Sequence, residues 1–202
     1  VLRGVIMERC KWCLESPEYM RYHDNEWGRP SHDDRELFEF LVLECMQCGL
    51  SWSLILKKRE AIRTALAGFD YDKLSTFTRE DVEKSMTVDG MIKSPQKIKA
   101  MVENAKAYKN IITEYGSFDK YLWAYTDGKT LCYKSRLLGV PVAQNRLSQR
   151  FSRDMKKAGF KYFGPVVAYS YLQAAGLIND HAENCFCRRQ IIENYPIEFV
   201  DE

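Results

Sequence analysis

"REDVEKSMTVDGMIKSPQKIKAMVENAKAYKNIITEYG", residues 79–116, reads as two helices and the turn that joins them. Thr78 stands before "REDVEKSM", where a hydroxyl can accept one of the amide protons that the first helical turn leaves unused. Ser94 and Pro95 open the second, longer helix. Proline lacks the amide hydrogen that a first turn does not need, and its φ is already helical. Gly116 closes that helix.

The neighbouring segments repeat the pattern. Ser31 is expected to cap "HDDRELFEFLVLECMQCG", with Asp34 at the third helical position and Gly49 at the end. "SWSLILKKREAIRTALAGF" carries Leu54, Ile55, Ala61, Ile62, Ala65 and Leu66 at helical spacing and stops at Gly68. A further helix is expected in "SFDKYLWAY". Ser148 precedes "QRFSRDMKKAG", closed by Gly159, and Pro165 starts a helix that ends at Gly176. Residues 126–147 show no period and are expected to form a loop with short turns at most. No run alternates as several strands should, so the fold class is all-α.

The chain has 202 residues, 46% of them hydrophobic, which suits one domain with a real core. Thirty basic against 28 acidic residues give a net charge of +2, so charge alone implies no nucleic-acid, membrane or acidic partner. The longest apolar stretch, "GPVVAYSYLQAAGLI" at 164–178, is broken by Ser170 and Gln173 and is too short to span a bilayer. Seven cysteines, an odd number, argue against a secreted disulfide framework. Reduced thiols in the cytoplasm, some of them on a metal, fit better. "VLRGVI", residues 1–6, is expected to be an extension or cloning remnant ahead of a domain over 7–187, with 188–202 as a tail.

Two of the three histidines sit beside cysteines, in "RCKWC" (9–13) with "YHDNEWG" (22–28), and in "NDHAENCFC" (179–187). His181 and Cys185 are four apart and would share a face of a helical turn, which gives one ion two ligands. Cys10 and His23 can supply two more, for a closed tetrahedral zinc site. Cys10, Cys13, Cys185 and Cys187 form a rival all-thiolate set, although one residue between Cys185 and Cys187 is tight for one ion. Any one of these cysteines alone would read as a small buried hydrophobe.

"LFEFLVLECMQCGLSW", residues 37–52, sets Glu44 among Leu41, Val42, Leu43, Cys45 and Met46. An unpaired carboxylate is costly to bury, so Glu44 either faces solvent, in phase with Phe40 and Glu36, or is kept for a partner. Solvent is the favoured reading of the sequence alone. Trp12, Tyr19, Tyr22, Trp27 and Trp52 supply aromatic surface that would serve either as core or as a box for a flat, electron-poor ligand with Glu44 as acceptor.

"MERCKW", "YHDNEWG", "LECMQCGLSW", "LKKRE", "GFKYFG" and "YSYLQAAGLINDH" with the cysteine that follows resemble the DNA-3-methyladenine glycosylase I family of bacterial base-excision repair. The similarity runs from Met7 to about Cys187. It implies an all-α helix-hairpin-helix glycosylase with a zinc-bound lobe joining the terminal segments, 10–23 and 181–185. By that resemblance the structural zinc lies on Cys10, His23, His181 and Cys185, leaving Cys13 and Cys187 as bystanders. Glu44 falls at the base-binding glutamate, Tyr22 and Trp52 at the stacking aromatics, and Tyr19, Trp27 and Ser170 at positions lining the pocket. The hairpin is expected over about 79–114, where Gly90 lets backbone amides approach a phosphate and Lys93, Lys97 and Lys99 add positive charge. Gln47 and Leu50 would fill the gap left by the extruded base. Cys45 and Cys48 depart from the family pattern, and the tail after Cys187 is longer than expected.

The implied partners are alkylated double-stranded DNA and free 3-methyladenine as product, with a monomeric enzyme. A base alkylated at N3 is cationic, pairs poorly and leaves easily, so the enzyme needs recognition more than strong acid catalysis. No lysine–aspartate pairing for a Schiff base is evident in the hairpin, and hydrolysis by water without strand cleavage is expected. Two other classes remain at this level: a zinc-stapled DNA-binding module without catalysis, and a zinc-dependent hydrolase, which four protein ligands would leave without a position for water.

Overall fold

In a computed structural model that describes residues 8–134 and 142–201, the helices are α1 (Pro17–Asn25), α2 (Asp34–Gln47), α3 (Trp52–Ala65), α4 (Tyr71–Leu74), α5 (Arg79–Ser85), α6 (Pro95–Tyr115), α7 (Phe118–Trp123), α8 (Arg146–Lys157), α9 (Pro165–Ala174) and α10 (Phe186–Asn194). Two strands, β1 (Thr130–Tyr133) and β2 (Ile197–Val200), and three short 3-10 turns are also present among the described residues. The expected extension at 1–6 and residues 135–141 of the expected loop lie outside the described residues.

Caps explain the helix starts. Thr78 accepts from the Asp81 amide while Asp81 accepts from the Thr78 amide, so each satisfies an orphan donor of α5. Ser94 caps α6 with Pro95 in its first turn, and Gly116 ends it at φ 87°. Two starts differ from expectation. Asp33, not Ser31, caps α2: its carboxylate takes the Arg35 and Glu36 amides at 2.8 and 3.0 Å, and a charged acceptor suits the positive end of the helix better than a hydroxyl. Ser31 instead donates to the Glu36 side chain. Asn145, not Ser148, caps α8, with Ser148 answering as the other half of a capping box.

Helices dominate among the described residues, with a small sheet that an all-α reading did not include. β1 and β2 pair in parallel, Thr130 opposite Ile197 through Tyr133 opposite Val200, in segments expected to be loop and tail. Four-residue strands paired across a long stretch of chain leave no local period to detect.

Packing divides the chain into two compact units. One comprises Ser31–Tyr125 and Ala143–Tyr171. Its centre is α2, buried from Leu37 to Met46. Phe38 meets Tyr108 at 4.9 Å between ring centroids, and Tyr108 stacks on Phe118 at 4.1 Å. The buried hydroxyls of Tyr108 and Tyr171 donate to the Asp34 and Leu37 carbonyls, so these rings bury no unmet polar group. Ser85 Oγ donates to the Ala65 carbonyl, which fixes α5 to the end of α3. Beyond α5 the turn passes through Gly90 at φ 76°, whose carbonyl accepts from Lys58 Nζ.

The other unit comprises Val1–Pro30, Thr126–Val142 and Leu172–Glu202, and holds the sheet, α1 and α10. Here Gly176 is required: its φ is 83°, and a Cβ would lie 2.3 Å from the Pro30 nitrogen. Arg188 donates from one guanidinium nitrogen to the Asn179 and His181 carbonyls, fixing the turn that carries His181. Among the described residues, no helix is long and apolar enough to cross a membrane.

Candidate functional site

Cys10, His23, His181 and Cys185 are brought together, all buried, with their ligand atoms within 4.8 Å of one another. Cys10 precedes a short 3-10 turn at Lys11–Glu15, and His23 lies in α1. His181 and Cys185 are not on a helix, as their spacing suggested. They bracket a turn closed by the Cys185 amide on the Ala182 carbonyl, and Cys185 immediately precedes α10.

His181 Nδ1 stands 3.2 Å from His23 Nε2 and 3.5 Å from each of the Cys10 and Cys185 sulfurs, and Cys185 Sγ is 3.4 Å from His23 Nε2. Zinc bonds of roughly 2.0–2.3 Å in a tetrahedron put neighbouring ligand atoms roughly 3.3–3.8 Å apart, so the spacing fits such an ion. The surrounding hydrogen bonds aim the ligands. His23 Nδ1 donates to Asp24 at 2.8 Å, and Asp24 is itself held by Arg9 at 2.9 Å. His181 Nε2 donates to the Trp27 carbonyl at 3.0 Å. Each imidazole thus spends its proton outward and turns a bare nitrogen inward, as metal-bound histidines do. The Ala182 amide donates to Cys10 Sγ at 3.2 Å, although the neighbouring Cys185 sulfur and burial together raise the Cys10 thiol above its ordinary value. Two nitrogens and two sulfurs converging in a buried space make a donor set that a divalent cation would fit.

Cys13 and Cys187 lie close to the cluster, and Cys187 forms a second group of possible ligands with His23 and Asp24. Cys13 donates to the Cys10 carbonyl at 3.0 Å and Cys187 to the His23 carbonyl at 3.6 Å. Cys187 also approaches His23 Nδ1, the nitrogen that Asp24 already holds. Gly28, at φ 76°, passes so close that a Cβ there would be 2.9 Å from His181 Nε2. Trp12 and Trp27 pack against the cysteines of the cluster, and Trp12 meets Tyr19 and Trp27 edge-on at 5.6 and 5.0 Å. Tyr22, on the same helix as His23, is buried.

In the other unit Glu44 is only 4% exposed, which overturns the solvent-facing reading. Its helical neighbour one turn earlier, Phe40, is 1% exposed, so this face of α2 points inward from Phe40 to Glu44, although Glu36 a turn before is exposed. Glu39, also buried, is neutralised by Arg59 at 2.7 Å and Arg63 at 2.6 Å. Glu44 has no such pair: its Oε2 meets no hydrogen-bond partner among the described residues. Burial alone pushes its carboxyl up to about 8, so it holds a proton at neutral pH.

The remaining residues of this unit lie at element ends. Gln47 ends α2, Trp52 begins α3, and between them Leu50 closes a turn on the Gln47 carbonyl. Ser170 is half-buried in α9, and Gly90 and Lys93 are exposed in the hairpin turn. Lys97, read as a hairpin charge, instead donates to the Met46 and Cys48 carbonyls at 2.8 and 2.6 Å, closing the end of α2. Sequence reasoning missed Asp24 and Arg9, although an aspartate beside a ligand histidine in "YHDNEWG" is a usable signal. It also missed Asn104, whose side-chain amide brackets the backbone of Lys161, donating to its carbonyl at 3.1 Å and accepting its amide at 2.7 Å.

A sequence-family profile described as methyladenine glycosylase matches residues 12–188. The DNA-3-methyladenine glycosylase 1 of Escherichia coli (strain K12) is 39% identical over 181 residues, 90% of this chain and 97% of that protein. The DNA-3-methyladenine glycosylase of Haemophilus influenzae is 36% identical, over 89% of this chain and 97% of that protein. A solved structure of 3-methyladenine DNA glycosylase I from Staphylococcus aureus, which concerns 3-methyladenine recognition, superposes with a TM-score of 0.83 at 36% identity, covering 90% of this chain and 97% of that one.

Proposed function

The chain belongs to the methyladenine glycosylase family, and we propose that it draws an alkylated base out of duplex DNA and hydrolyses its glycosidic bond without cutting the strand. It is a DNA glycosylase, and the base it excises is 3-methyladenine. The observation that carries the mechanism is the lone carboxyl of Glu44, buried without a counter-ion and protonated when no ligand is present. Adenine alkylated at N3 arrives as a cation. Its charge makes ionisation of Glu44 favourable, the proton passes to solvent, and carboxylate and base then form a charge-assisted pair. Neutral adenine supplies no such charge, so Glu44 keeps its proton and the pair does not form.

Trp52 stacks on the base, with a cation–π contribution on the order of 1–2 kcal/mol, and Ser170 lines its surroundings. Water is the nucleophile. The backbone at Gly90 takes a phosphate, Lys93 adds a second contact, and Gln47 and Leu50 occupy the space the base leaves. A Zn2+ ion held by Cys10, His23, His181 and Cys185 ties the terminal segments into one lobe. With four protein ligands it serves the fold alone. The described cysteines are all free, which suits a reducing cytoplasm, and the enzyme works as a monomer.

The direct test is incubation with methylated duplex DNA, scored for free 3-methyladenine and for strand breaks. Released base with intact strands is the expected result; binding without release would make the protein a damage-recognition module. A second expectation concerns the hairpin. Lys93→Ala should weaken DNA binding alike for all sequences and lower the slope of log affinity against log salt by about one. An unchanged slope in a binding titration over several salt concentrations would move the phosphate contact elsewhere.

A further inference from the structure

The loop between α8 and α9 exposes an aromatic ring on a backbone that aromatic residues avoid. Tyr162 has φ 55°, in the left-handed region where a side chain other than glycine, asparagine or aspartate is strained. Glycine would make the same turn without strain. The ring does not repay the strain by burial: Tyr162 is 39% exposed, while Phe160 and Phe163 on either side are 3% and 1%.

The structure invests in holding this loop. Asn104, fully buried, gives both ends of its amide to the backbone of Lys161. Cys45 Sγ donates to the Lys161 carbonyl and Cys48 Sγ to the Tyr162 carbonyl, each at 3.7 Å. These are the two thiols by which "LECMQCGLSW" departs from the family pattern. Cys48 lies between Gln47 and Leu50, so the loop of Tyr162 is tied directly to the segment assigned to the space left by the extruded base. Beside Tyr162 opens a cleft of about 430 Å³, lined also by Gln96, Lys99, Ala100, Glu103 and Lys161. Its lining is mostly apolar, which suits the flat face of a base, and two lysines stand among its residues against one glutamate.

We propose that Tyr162 is a stacking platform for the unpaired base of the complementary strand, the one left without a partner when the alkylated base leaves the helix. The inference rests on the glycosylase reading. Stacking on an aromatic side chain is tolerant of base identity, which suits a site that must accept whatever stands opposite the lesion. The rigid tether to the Gln47–Leu50 segment lets the two loops engage both strands at one step of the duplex.

The test uses duplex DNA with an abasic-site analogue opposite 2-aminopurine, titrated with wild type, Tyr162→Gly and Tyr162→Phe. Wild type and Tyr162→Phe should quench the probe and bind alike. Tyr162→Gly should lose the quenching and bind about tenfold more weakly, while its melting temperature stays at or above that of wild type because glycine relieves the strain. Binding of free 3-methyladenine should be unchanged in both variants. Quenching and affinity retained by Tyr162→Gly, or a loss that comes with a lowered melting temperature or lost free-base binding, would overturn the platform. If wild type itself released no 3-methyladenine from alkylated DNA, the glycosylase reading would fall instead.

Discussion

Glu44→Gln should bind 3-methyladenine about a hundredfold more weakly than wild type and yet be the more stable protein at alkaline pH. Both effects come from one buried carboxyl. The amide keeps the shape of the side chain but cannot ionise against a cationic base, so the charge-assisted pair is lost. The effect on stability follows from linkage. The folded-state value near 8 lies above the ordinary 4.5, so the native chain holds a proton that the unfolded chain releases. The stability contributed by this group is complete below about pH 4.5, declines as pH rises, and is gone above about pH 8. A tenfold change in proton affinity is worth about 1.4 kcal/mol, so the decline amounts to a few kcal/mol. Glutamine binds no proton, so denaturant titrations from pH 4.5 to 9 should show this part of the slope in wild type and not in the variant. Equal affinity of both proteins for 3-methyladenine would reduce Glu44 to a packing residue.

Removal of His181 or Cys185 should be the most damaging change to the fold. Each replacement leaves three ligands converging without a complete coordination sphere, and structural zinc binding is itself folding free energy, on the order of 10 kcal/mol in small zinc domains. His181→Ala and Cys185→Ser should therefore lose metal, melt at lower temperature and become indifferent to chelator, whereas wild type should melt earlier once chelated. Cys187→Ser should keep both metal and melting temperature, since that thiol donates to the His23 carbonyl and faces the His23 nitrogen that Asp24 already holds. Metal analysis beside thermal melts decides the point. A Cys187→Ser protein stripped of metal, with His181→Ala still loaded, would transfer the site to the thiolate set.

Between these two residues lies a difference in what sequence can disclose. The four candidate residues were recognisable because histidine and cysteine are scarce and clustered, and the structure brings the same four together. Their orientation was not recognisable. It depends on Asp24 and on the Trp27 carbonyl, and a backbone carbonyl carries no signature in the sequence. For Glu44 the local pattern pointed the wrong way: set in phase with Glu36, it read as solvated, and only the burial of Phe40 on the same face reversed the reading.

Helix content, most helix ends and the two helices on either side of Gly90 were determined by the sequence itself, because capping, proline placement and glycine stops act within a few residues. Tertiary structure alone decided the rest. It moved the α2 cap to Asp33, paired β1 with β2, drew Lys97 from the hairpin to the end of α2, and fastened the Tyr162 loop to Asn104, Cys45 and Cys48. Each of these joins groups distant in the chain, and their energies depend on burial and charge that exist only once the chain has folded.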